Sequence, residues 1–96
     1  MAEVRWSQEA ERWLREIHDH IAQDNPDAAV RTVRGIYEKA ELLAEYPELG
    51  YRYRGRSDRS IRILLYGHDR IAYLIHDSGV TLLGIFHGAL DIERYL

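Results

Sequence analysis

His87 and Tyr95 are the side chains of this 96-residue sequence available for proton transfer, and Arg62 and Arg70 are the cations available to act beside them. Cleaving RNA without a metal needs such a set. A base takes the proton of the 2′-hydroxyl, an acid protonates the leaving oxygen, and cations stabilise the charged phosphorane. A plainer reading carries more weight. His87 then ends a strand in a structural hydrogen bond and Tyr95 packs on a sheet, because four common residue types meet often on a small sheet.

A second feature is the run Tyr51-Arg52-Tyr53-Arg54-Gly55-Arg56, which interleaves aromatics with cations. Twelve of the thirteen basic residues are Arg, and six of them fall between Arg52 and Arg70. The net charge of −3 is unevenly spread: residues 1–50 carry six basic and eleven acidic side chains, and residues 51–96 carry seven and five. Guanidinium forks match carboxylates and phosphates, so the basic half calls for an anionic partner. The run can stack bases, dock an acidic peptide segment or stand as a solvated loop. Docking an acidic segment is the favoured use.

Other chemistry finds no foothold. Without cysteine there is no disulfide, zinc–thiolate site or thiol nucleophile. His18 and His20, two apart on a helix, face different directions, and no HExxH or paired-ligand spacing occurs, so neither metal nor cofactor is expected. No Gly-rich phosphate loop is present. The opening MAEVRWSQEAERW has charges where the apolar region of a signal peptide would lie, and no apolar run is long enough to span a bilayer, so a cytoplasmic, membrane-free protein is expected.

The elements that must position these residues form one domain over 1–96. Glu3–Trp6 reads as a strand. Ser7 caps a helix whose apolar stripe is Ala10, Trp13, Leu14, Ile17 and Ile21. Asp24-Asn25-Pro26 ends it and starts a second helix, to about Glu45, with Ala29, Val33, Ile36, Ala40 and Leu43 along one seam. So short a link makes an antiparallel hairpin, and Gly35 is either a point of close helix approach or merely tolerated. Tyr51–Ser60 reads as a loop. Strands follow over 60–66, 70–76 and 80–87, joined by Gly67-His68-Asp69 and Asp77-Ser78-Gly79. The last strand is apolar on both faces and belongs in the centre, flanked by the second strand and the N-terminal segment. Trp13 belongs to the core, Trp6 to the sheet edge, and Asp91–Leu96 to a final helical turn. The fold class is α+β: a helical hairpin on one face of a small, twisted, mainly antiparallel sheet.

Several stretches taken in order resemble the ParE branch of the RelE/ParE toxin superfamily. VRWSQEAERWLREIHDHIAQDNPDAA is similar to its opening strand, W-S-x-x-A helix start and break before a Pro and paired alanines. LLAEYPELGYRYR resembles its L-x-x-x-P-x-x-G signature. SIRILLYGHDRIAYLIHDSGVTLLGIFHGALD resembles its Arg-led strand, its Y-R-I-x-Y strand and its closing V-x-I-L-x-I-x-H-G-x-x-D. The resemblance spans essentially the whole chain.

It implies the toxin half of a type II toxin–antitoxin pair, in a hetero-oligomeric complex with a ParD-like antitoxin. ParE-like members poison DNA gyrase and RelE-like members cleave messenger RNA on the ribosome. A third possibility is a relative that has lost toxicity. Many relatives carry basic residues after the His-Gly pair, whereas Ala89 and Leu90 follow His87-Gly88 here. Arg62 and Arg70 match cationic positions of the nucleases, while Leu64 stands where a second cation is common. Gyrase inhibition without chemistry, causing growth arrest, is therefore expected, with no sequence-specific contact to nucleic acid. The contact set for antitoxin or target is Arg52, Arg54, Arg56, Arg59, Arg62, Tyr66, Arg70, His87, Asp91 and Arg94. The antitoxin is expected to lay an amphipathic segment over the groove between hairpin and sheet.

Overall fold

Val4 and Trp6 alternate with charged Glu3 and Arg5, and this pattern forms the edge strand β1 (Glu3–Trp6). The computed structural model describes residues 2–55, 60–88 and 92–96. Helix α1 (Gln8–Ala22) starts at Ser7, whose hydroxyl accepts the Ala10 N–H at 3.0 Å. Helix α2 (Pro26–Glu41) starts in the same way, with the Asn25 side chain accepting the Ala28 N–H at 3.0 Å and Pro26 in the first turn. It ends four residues before the expected Glu45. Leu42–Ala44 tighten into a 3-10 turn ahead of Pro47, which has no N–H with which to continue a helix.

The remaining strands are β2 (Tyr51–Arg52), β3 (Ile61–Tyr66), β4 (Asp69–His76) and β5 (Gly79–His87). With β1 they make one sheet in the order β1-β5-β4-β3-β2. Strand β1 runs parallel to β5 and the other pairings are antiparallel. The doubly apolar β5 thus lies between the N-terminal segment and β4, as its composition requires. Gly79 sits opposite Glu3, and a Cβ there would overlap the Glu3 backbone, so glycine is what lets β1 close onto the sheet. One expectation is corrected. Tyr51 and Arg52 are not loop but a short edge strand facing Ile63 and Arg62, because a two-residue ladder leaves no alternating pattern to read.

A β-bulge interrupts β5. Tyr73 pairs with Leu82 but Ala72 pairs with Gly84, leaving Leu83 as the extra residue. On one face Leu64, Ile71, Tyr73, Val80, Leu82 and Ile85 meet Ala10, Ile36, Ala40 and Leu43 of the helical layer. On the other, Ile63, Ala72 and Phe86 are covered by Ile92 of the C-terminal 3-10 turn (Ile92–Arg94), with Tyr53 and Leu96 alongside. Full burial of each such aliphatic side chain contributes roughly 1.5–3 kcal/mol.

Trp13 is half-buried rather than enclosed. Its ring meets Phe86 edge-on at 4.9 Å and Tyr95 at 5.2 Å, so it joins the hairpin to the C-terminal turn. Trp6 stacks on Tyr37 of α2 at 5.8 Å, at the sheet edge as expected. Gly35 serves a different neighbour from the one expected: a Cβ there would overlap the hydroxyl end of Tyr66 on β3, so the close approach is between α2 and the sheet.

Candidate functional site

Arg62 pairs in register with Tyr73, so both side chains point to the helical face. There Arg62 Nη1 donates to the carbonyls of Gly50 at 2.7 Å and Glu48 at 3.4 Å. The buried Tyr73 hydroxyl donates to the Pro47 carbonyl at 2.7 Å and accepts the Gly50 N–H at 2.9 Å. Together the two side chains fasten the 47–50 segment to the sheet. Burial raises the Tyr73 pKa above 10.0, against the smaller lowering effects of the Gly50 N–H and Arg62, with Glu48 adding a little to the rise.

Arg70 pairs with Leu65 on one side and Phe86 on the other, which places its side chain on the opposite face from Arg62. Its Nη2 donates to the Gly88 carbonyl at 2.9 Å. Tyr95 stacks on Phe86 at 5.4 Å with half its surface exposed. His87, one residue beyond Phe86, points back to the helical face. The four residues of the proton-transfer set are therefore not gathered around one point.

His87 has a different partner. Its Nδ1 donates to Asp69 Oδ1 at 2.9 Å, and the Asp69 side chain is only 14% exposed while that of His87 is 75% exposed. The His68 ring lies 6.4 Å from that of His87, and the His68 carbonyl accepts the Gly88 N–H at 2.8 Å. These residues close one end of a groove of about 580 Å³ between hairpin and sheet. Trp13, Ile17 and Ile21 of α1 and Tyr66 of β3 make its apolar wall, and Glu16 and His20 its outer rim. Sequence reasoning placed His68 in a turn and gave Asp69 and His20 no role. The turn was readable, but the bulge that brings Asp69 opposite His87 was not.

The remaining expected contact residues are spread out. Arg52 and Arg54 are exposed on and just after β2, and Arg94 is exposed in the C-terminal turn. Tyr66 lies in the groove. Arg56, Arg59 and Asp91 lie outside the described residues. Among the described residues no three His, Asp or Glu side chains converge as metal ligands. No helix among them is long and apolar enough to cross a membrane.

Residues 4–92 match the family model described as the ParE toxin of the type II toxin–antitoxin system parDE. The chain is 34% identical to toxin RelE2 of Caulobacter vibrioides over 93% of its own length and 98% of that protein. It is 43% identical to a Sinorhizobium fredii protein named as toxin Y4kP, over 60% of each chain. A structure of the chromosomal ParDE system from P. aeruginosa superposes with a TM-score of 0.77 at 20% identity, covering 92% of this chain and 97% of that one. The RelBE2 toxin–antitoxin complex from Mycobacterium tuberculosis gives 0.68 at 24% identity, covering 90% and 96%. These two share the fold of hairpin and five-stranded sheet.

Proposed function

We propose that this chain, which belongs to the ParE toxin family of type II toxin–antitoxin systems, acts by binding DNA gyrase in the cytoplasm, without chemistry of its own, and is neutralised by an antitoxin. The observation that carries the binding reading is the placement of Arg62 and Arg70. They lie on opposite faces of the sheet, each spent on a backbone carbonyl. A phosphorane needs its cations on one side of one site. Membership of the ParE family supports gyrase over the ribosome as the proposed target. The antitoxin reading is supported by the structural relatives, described as a ParDE system and a RelBE2 toxin–antitoxin complex. Its amphipathic segment lies along Trp13, Ile17, Ile21 and Tyr66, the apolar wall of the groove.

The test is a supercoiling assay with purified gyrase, run beside a translating extract probed for cut messages. Inhibited supercoiling with intact messages supports the reading. Cut messages with unaffected gyrase would move the function to a ribosome-dependent nuclease.

A further inference from the structure

Three of the five histidines of the chain, His20, His68 and His87, line the groove between hairpin and sheet. They come from three separate elements: α1, the β3–β4 turn and β5. All three are exposed. The other ionisable groups lining the groove are Glu16 from α1, Asp69 from β4 and the Tyr66 phenol from β3, while α2 contributes the neutral Thr32. Asp69 is mostly buried and its Oδ1 already accepts from His87 Nδ1, so it is committed to orienting that ring. The Nε2 edge of His87 is then the one open to an incoming group.

We propose that this end of the groove is a carboxylate-binding subsite, that its occupant is an acidic side chain on the docking segment of the antitoxin, and that binding is coupled to proton uptake. The proposal rests on the reading that the antitoxin lies in this groove. With the imidazoles neutral, Glu16 and Asp69 leave two negative charges there. With all three imidazoles protonated the balance is one positive charge. An acidic segment is repelled in the first state and held by charge-assisted hydrogen bonds in the second. Exposed Arg52 and Arg54, on and just after β2 at the other end of β3 from Tyr66, favour an acidic partner without forming part of this subsite. By linkage, an occupant that favours the protonated imidazoles binds more tightly as the pH falls, and a basic occupant gives the opposite slope.

The experiment measures by calorimetry the affinity of the full-length toxin for the product of the reading frame adjoining its gene, at about pH 8 and about pH 6. The wild type is expected to bind about tenfold more tightly at the lower pH. The exposed double variant His68→Gln, His87→Gln is expected to lose most of that gain. His76→Gln, at the far end of β4, keeps it. A flat or reversed wild-type slope, or a slope retained by the double variant, overturns the subsite. Two groove variants, Ile21→Ser and Tyr66→Ala, each checked for folding by circular dichroism, separate the two claims. If the folded variants bind as well as the wild type, the docking reading falls and the subsite with it. If they bind weakly while the wild-type slope is flat, the subsite alone is overturned.

Discussion

Arg62 and Arg70 leave the sheet on opposite faces, and each donates to a backbone carbonyl, Gly50 at 2.7 Å and Gly88 at 2.9 Å. Both cations therefore act as fasteners of chain segments. Replacing Arg62 with Gln should lower stability by about 1–2 kcal/mol through the loss of charge-assisted bonds to the 48–50 backbone. Urea denaturation measures this. Where expression of the wild type arrests growth, any loss of that effect in the variant should match its loss of folded protein, whereas a catalytic cation would show a deficit with the protein fully folded.

Tyr73→Phe removes the donor to Pro47 and the acceptor for Gly50 N–H in one step. The expected cost is about 1–3 kcal/mol, because buried backbone groups are left without partners. The same hydroxyl predicts an alkaline effect. Its folded pKa is raised above 10.0, chiefly by burial, so its contribution is fully present below about pH 10. That contribution is lost as the pH rises through the folded value. Denaturation midpoints followed upward from neutral pH should fall more steeply for the wild type than for Tyr73→Phe.

Gly35→Ala should separate helix propensity from the groove. Alanine favours the helix by about 1 kcal/mol, but its Cβ would overlap the Tyr66 hydroxyl. The phenol is the free end of a side chain and can swing aside, so the net stability change should stay under about 1 kcal/mol. Tyr66 is also part of the groove wall, so antitoxin affinity should fall more than stability does. Thermal melts set beside binding isotherms check this. A variant that binds normally would show that Tyr66 is not part of the docking surface.

Trp6→Phe should cost less than a half-buried aromatic truncation normally does. The indole N–H of Trp6 is buried and has no acceptor among the described residues, while the ring face stacks on Tyr37. Phenylalanine keeps a stacking face and removes the orphaned donor, so a change of no more than about 1 kcal/mol is expected in equilibrium denaturation. Trp6→Ala, which removes the stack as well, should cost more.

The elements were legible because their signals are local. Ser7 and Asn25 mark both helix starts, the apolar stripe of α1 sets its buried face, and the doubly apolar β5 declares its central place. The site was not legible, because it depends on one extra residue. Were β4 and β5 paired without the bulge at Leu83, Asp69 would face Phe86 and His87 would miss it. The bulge shifts the register so that Asp69 and His87 meet, and its mark in VTLLGIFH is Gly84 beside it, which fits a bulge or a close backbone approach equally well. Tyr51 and Arg52 hid as loop for a similar reason: their strand exists only because β3 offers a free edge.

The most direct test of the proposed binding function is the titration of purified wild-type protein into a gyrase supercoiling reaction. The expected result is a dose-dependent loss of supercoiling that is reversed by adding the antitoxin. Supercoiling untouched at high molar excess, with messages cleaved in a translating extract by the same preparation, would contradict it.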